Sequence, residues 1–334
     1  MFHKKLTMVF VCMLILAVSV TGALAAGPIT FKVATIESDD TSISRAFRDF
    51  EKYVEEKTNG KVDVQYFSNG SLGGEREIIE GVSLGTIQLC FPAPSMLAMY
   101  DNKFNLLELP FLYDTYDIAY KAWEGEVGQT VNKWAADVGL QNLGYVAFTA
   151  RGFANNVRPV RSPEDMKGMK VRVMESQLYI DTFKNLGANP TPMSHTEIFT
   201  ALQQGTIQAI DRGPMETYMT KLYELCKYYT WLKHTIQPQM LLVKTGYLEK
   251  LPEDVRQAIL DGIDILRKQL REQLYDDEFV CLEAMRKDGV EVIESLTPEE
   301  TAKFQALVTP LYDTYRKIVG DELMDKLLAY NKNK

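Results

Sequence analysis

The residue whose type and setting most directly suggest chemistry is Arg172, a guanidinium placed in Val171-Arg-Val-Met174. A charge inside an apolar strand is rarely there without a partner. A planar guanidinium holds a carboxylate through two parallel hydrogen bonds that a lysine cannot reproduce. The alternative is an ordinary salt-bridged surface arginine. Little else competes as a reactive constellation. Past the first 25 residues the histidines are His195 and His234, with no HExxH and no CxxC, so no metal and no cofactor is expected. There is no Gly-x-Ser-x-Gly, and neither histidine lies in a triad context. Among 45 acidic residues, spacing singles out no pair as a glycosidase's two carboxylates. The chemistry favours holding an anion, with a secreted hydrolase as the weaker alternative.

The elements that must position Arg172 follow from periodicity. Residues 31–36 predict a strand, and Ile43, Phe47, Phe50 and Val54 fall at helical spacing up to Asn59-Gly60. Residues 61–67 alternate as a second strand. A glycine-bearing loop over 68–74 leads into a helix over 75–84, then a strand near 88–91. Strand–helix alternation implies a parallel α/β sheet. After a strand-like crossover at 144–156, Ser162-Pro163 starts a helix with serine as N-cap. The pattern then restarts, with a strand over 169–174, helices over 177–186 and 196–204, and a strand over 207–210. From Leu251-Pro-Glu-Asp254 an apolar stripe (Val255, Ile259, Ile263, Leu266, Leu270, Leu274) runs towards Gly289. Some 35 helical residues span about 50 Å, longer than one small domain. Thr297-Pro-Glu-Glu300 caps a further helix. Two α/β lobes bridged by one long helix suggest a cleft.

The N-terminus reads as an export signal. Lys4 and Lys5 precede an uncharged stretch from Leu6 to Val20, and Ala23-Leu-Ala25 follows as a cleavage site. The run is short for a membrane span of about 20 apolar residues, and Cys12 lies inside it, so no lipid anchor is expected. The formal charge is −8; losing Lys4 and Lys5 makes it −10. So acidic a chain argues against nucleic acid or anionic lipid as partner. About 310 remaining residues fit two domains. Cys90, Cys226 and Cys281 are too few and too scattered for a disulfide framework and read as small buried hydrophobes.

Several blocks in order carry a resemblance over essentially the whole mature chain: Ser162-Pro-Glu-Asp-Met-Lys-Gly-Met-Lys-Val-Arg172-Val, Leu186-Gly-Ala-Asn-Pro-Thr-Pro-Met193 and Glu197-Ile-Phe-Thr-Ala-Leu-Gln-Gln-Gly205, with support from Ser71-Leu-Gly-Gly-Glu-Arg76, Leu109-Pro-Phe-Leu112 and Tyr223-Glu-Leu-Cys-Lys-Tyr228. The sequence resembles the solute-binding subunits of TRAP transporters, the tripartite ATP-independent periplasmic importers, of the DctP type. The resemblance implies an α/β, two-lobed periplasmic binding protein fold with a ligand cleft between the lobes and a long lobe-spanning helix. It implies no catalysis, a monomer, and delivery of a small organic acid to the small and large integral membrane subunits. A ligand-sensing receptor subunit would use the same binding physics. The expected division is a leader over 1–25, a first lobe over 27–148 plus about 237–276, and a second over 149–236 plus about 277–334.

The resemblance also implies site residues. Arg172 stands where the family holds the ligand carboxylate, and Arg151 where a second arginine assists, unless it forms a structural ion pair between lobes. Glu75 falls at an acidic position of the first lobe, or is a solvated helix-start carboxylate favoured by the helix dipole; Glu37 is weaker still. Two positions depart from the family pattern. Arg212 replaces a ligand-contacting asparagine, and His195 replaces an aromatic residue. Arg212 either meets the ligand or pairs with Asp211, Glu216 or Glu75; His195 either lines the site or caps the Ser194–Glu197 turn. Because arginine only donates and stays charged, three guanidiniums look over-positive for a plain monocarboxylate. A dicarboxylate, keto acid or sugar acid is therefore expected.

Overall fold

The computed structural model describes residues 27–332, so the predicted leader over 1–25 lies outside them. Eleven strands form two sheets among these residues. The first takes β1 (Ile29–Ala34), β2 (Val62–Phe67), β3 (Leu89–Cys90), β4 (Leu140–Ala150) and β10 (Ile236–Lys244), in the order β2-β1-β3-β10-β4. The second takes β5 (Gly152–Asn155), β6 (Lys170–Val173), β7 (Asn189–Pro192), β8 (Ala209–Arg212), β9 (Tyr228–Thr230) and β11 (Glu291–Ile293), in the order β11-β9-β5-β8-β6-β7. The expected strand–helix alternation is present. Helix α1 (Ser42–Lys57) buries Ile43, Phe47, Phe50 and Val54, and Thr41 caps it by accepting from the Ser44 N–H. Helix α2 (Glu75–Leu84) ends on Gly85 at φ 86°, a left-handed position suited to glycine.

The sheets are mixed rather than wholly parallel. β1 pairs in parallel with β2 and β3, and β6 with β7 and β8. β10 runs antiparallel to β3 and β4, and β5 antiparallel to β8 and β9. The physical reason lies in the crossings. Ala150-Arg151-Gly152 joins β4 to β5, and residues 231–235 join β9 to β10, with no helix to turn the chain back as a parallel connection needs. Strand β7, Asn-Pro-Thr-Pro, escapes sequence reading because two prolines demote it; as an edge strand it tolerates both.

The long helix is the third crossing. Helix α3 (Glu253–Lys287, 35 residues) keeps Val255, Ile259, Ile263, Leu266, Leu270 and Leu274 buried against the first sheet's layer. Gly262 permits this approach: a Cβ there would stand 2.9 Å from the Phe50 ring. Further along, Glu278 is buried where the strands cross. Its Oε1 accepts from Thr149 Oγ1 (2.8 Å) and the Ala150 N–H (2.7 Å), and its Oε2 from the Tyr116 hydroxyl (2.6 Å). Trp231 Nε1 donates to the Ala150 carbonyl at 2.7 Å. All three crossings are thus tied at one point.

The chain after residue 277 does not all stay with the second sheet, as the sequence predicts it to. The last helix described, Asp321–Lys332, returns to the first sheet's helices, where Lys326 pairs with Glu126 and Asn331 Nδ2 donates to the Leu112 carbonyl. Cys90, Cys226 and Cys281 are free and buried. Among the described residues no helix is long and apolar enough to cross a membrane.

Candidate functional site

Strand β6 carries Arg172 between Val171 and Val173, which are fully buried. Its guanidinium has turned onto the chain just past β7: Nε and Nη2 both donate to the Met193 carbonyl, at 2.9 and 2.7 Å. Among the described residues no carboxylate comes within 4.0 Å of it. Burial, then the neighbouring charges of Arg212 and Arg151, pull its pKa down to about 9. A buried cation without a counter-ion is costly, and this one is aimed at the cleft.

Arg151 sits at the β4–β5 crossing and is committed to protein partners. Its Nε lies 3.0 Å from each carboxylate oxygen of Asp211, and its Nη1 donates to Gln237 Oε1 at 2.7 Å. Its guanidinium lies over the Tyr179 ring at 5.1 Å. His234 Nε2 stands 3.2 Å from the same carboxylate. Burial works against the Asp211 charge, yet Arg151 and His234 hold its pKa at about 2.

Arg212 ends β8 and is buried. Its Nη1 meets His195 Nδ1 at 2.5 Å, its Nε has no partner, and no carboxylate among the described residues lies within 4.0 Å. Burial and the charges of Arg212 and Arg172 push the His195 pKa well below its usual value. Arginine only donates, so Nδ1 of a neutral His195 must accept, which places the ring proton on Nε2. Ser194, with Glu197, forms the capping box of the adjacent turn, and His195 is the turn's first residue. Glu75 opens α2, half-buried; desolvation raises its pKa against the pull of Arg172.

These residues converge. Glu75, Arg151, Arg172, His195 and Arg212 line one cavity between the sheets, together with Ile36, Phe148, Met174, Glu216, Gln237 and Gln239. All five residues singled out in sequence therefore meet. Gln237 and Gln239 escaped attention, although two glutamines at i, i+2 in an otherwise apolar strand were a legible signal. Glu216 was weighed only as a partner of Arg212. It is buried with neither carboxylate oxygen bonded, and Gly213 makes room for it: a Cβ there would lie 2.4 Å from its Oε2 and 1.8 Å from Thr149 Oγ1. Glu37, buried just past β1, also leaves Oε1 unbonded; burial raises its pKa to about 8 against the pull of Arg212, with Glu216 and Glu75 pushing the same way as burial.

The cavity is nearly shut, at about 20 Å³, little more than one water needs. Beside it the two sheets' loops touch: a Cβ on Gly74 would lie 2.7 Å from Ser194 Oγ, and one on Gly70 3.1 Å from Thr196 Cγ2. An organic acid fits only if the cavity widens. A larger cavity of about 460 Å³ opens on another side of the crossing, against Tyr116, Tyr120, Trp231 and Lys233. None of its wall residues carries a buried unbonded polar atom, so the small cleft is the better candidate.

The family model for bacterial extracellular solute-binding proteins, family 7 (DctP), matches residues 33–318. The chain is 29% identical to the 2,3-diketo-L-gulonate-binding periplasmic protein YiaO of Escherichia coli, over 91% of this chain and 92% of that one. Among solved structures it is similar to the sugar acid binding protein DctPAm of Advenella mimigardefordensis in complex with galactonate (TM-score 0.87, 26% identity, 92% and 98% of the two chains). It is also similar to a TRAP periplasmic solute binding protein of Sulfurospirillum deleyianum with bound succinate (TM-score 0.86, 28% identity, 91% and 99%).

Proposed function

The chain belongs to the bacterial extracellular solute-binding proteins of family 7, of the TRAP type, and from that premise we propose that it captures a small organic carboxylate in the cleft between its sheets and hands it to a TRAP membrane importer. Arg172 is the residue that binds the carboxylate, with Arg212 and His195 beside it and Arg151 holding the crossing from which they project. The single observation that carries this reading is the buried guanidinium of Arg172, with no carboxylate within 4.0 Å among the described residues and a pKa drawn down to about 9. Such a group gains most from an anion that brings its own charge.

In this reading the protein is periplasmic, exported through a cleaved leader, monomeric, and not an enzyme. Among the described residues that line the cleft there is no serine, threonine or cysteine to act as nucleophile. The first lobe comprises residues 27–148, about 237–276 and the closing helix; the second comprises the rest. Ligand contacts from both lobes shift the population towards the closed state. The test is mass spectrometry of small molecules released from the purified protein, followed by a thermal-shift screen of organic acids. A specific acid should raise Tm by mass action, equivalent to about 4 kcal/mol at a thousandfold excess over Kd. A screen in which no carboxylate stabilises the protein overturns the reading.

A further inference from the structure

The polar groups around the cleft are unevenly distributed. Arg151 is neutralised by Asp211. That leaves Arg172 and Arg212 as cations against the two carboxyl groups that line the cavity, Glu75 and Glu216. The pocket that looked over-positive when only its arginines were counted is balanced once these acids are included. The unbonded buried atoms share one character. Among the described residues that line the cavity, Glu216 Oε1 and Oε2 and Gln239 Oε1 are all oxygens, and a single donor, Arg212 Nε, stands with them. Buried acceptors left unbonded are costly and rare, so several of them around one cavity call for a ligand that donates.

We propose, resting on the carboxylate reading of the cleft, that Glu216 and Gln239 form an acceptor pole for hydroxyl groups, so that the ligand is a polyhydroxylated monocarboxylate of the aldonate or uronate class and C4-dicarboxylates are rejected. The carboxylate lies at Arg172. Each ligand hydroxyl donates to one of the unbonded oxygens while its own oxygen accepts from Arg212 Nε or from the His195 Nε2–H. A second carboxylate has no proton to give those oxygens, and it would add a charge to a cleft in which Glu75 and Glu216 already offset Arg172 and Arg212. Such a mismatch gives strong discrimination, because the protein's own polar groups stay unbonded.

The test is calorimetry on the mature protein with four- to six-carbon aldonates (erythronate, galactonate) and glucuronate, against succinate and malate. The tightest ligand should be a polyhydroxy monocarboxylate, preferred at least tenfold over either dicarboxylate. Glu216→Gln should cut that preference at least tenfold, whereas Arg172→Ala should weaken every acid. Should Glu216→Gln fail to fold, Gln239→Met applies the same test from the other sheet. Succinate or malate as the tightest ligand, or a preference unchanged by both variants, overturns the acceptor pole while leaving the carboxylate reading intact. An Arg172→Ala variant that binds normally, or a panel in which no acid binds, overturns both.

Discussion

Arg151 and Asp211 form a buried ion pair beside the cleft, with Nε 3.0 Å from each carboxylate oxygen. The pair joins the β4–β5 crossing to the strand that carries Arg212. It commits Arg151 to architecture and leaves Arg172 as the cation proposed to meet the ligand. Removing one partner of a buried pair costs about 3–5 kcal/mol because the other charge stays behind. Asp211→Asn should therefore lower Tm by about 10 °C in the absence of ligand. An unchanged melting temperature would show that the pair is not structural.

Arg172 should behave in the opposite way. Arg172→Ala removes a buried charge with no carboxylate within 4.0 Å among the described residues and only a more distant pull from Glu75, so Tm should change little. Ligand affinity, in contrast, should fall by about 10²–10³-fold, since a desolvated carboxylate loses its partner. Arg172→Lys should recover little, lacking the fork. Calorimetry showing less than a tenfold loss for the alanine variant would refute the assignment.

Closure can be tested without touching ligand contacts. Gly74 has φ −73°, which any residue can adopt, but its missing Cβ is what lets Ser194 approach. Gly74→Val should fold normally, weaken binding about tenfold or more, and blunt the ligand-induced fall in radius of gyration seen by small-angle scattering. Equal contraction in parent and variant would mean that the two loops take no part in closure.

Protonation at the crossing should make stability pH-dependent. Burial raises the Glu278 pKa to about 7, against the hydrogen bonds from Tyr116, Ala150 and Thr149. Its folded pKa exceeds the unfolded value of about 4.3, so the native state binds the extra proton between these values. Its contribution is present in full below the unfolded value and is lost as pH rises to about 7, amounting to about 3 kcal/mol. Tm measured from pH 5 to 8 should fall less in Glu278→Gln than in the parent. Parallel profiles would exclude Glu278 as the source.

His195 reports on Arg212. Burial, then Arg212, then Arg172 depress its pKa. Arg212→Gln removes the second cause and should move the imidazole titration towards its ordinary value of about 6.5, measurable by NMR. No shift would show that the 2.5 Å contact does not persist in solution.

How much of this was legible in sequence depended on whether the signal was local. Ile43, Phe47, Phe50 and Val54 declare a buried helix face by their spacing, and the stripe from Val255 to Leu274 declares a helix too long for one lobe. Arg172 stands out because its neighbours are apolar. Each is a property of consecutive residues, set by backbone periodicity and by the cost of burying charge. The role of Arg151 was not local: it depends on Asp211, 60 positions away, being brought within 3.0 Å by strand pairing. The charge balance of the cleft was likewise invisible, because Glu75 and Glu216 come from separate elements and look like ordinary surface acids until the fold buries them around Arg212. Sequence determined the elements, the two α/β lobes and the buried guanidinium proposed to receive a carboxylate. Only the tertiary structure decided which charges neutralise one another, since Coulomb and desolvation energies depend on distances and burial that neighbours in sequence do not set.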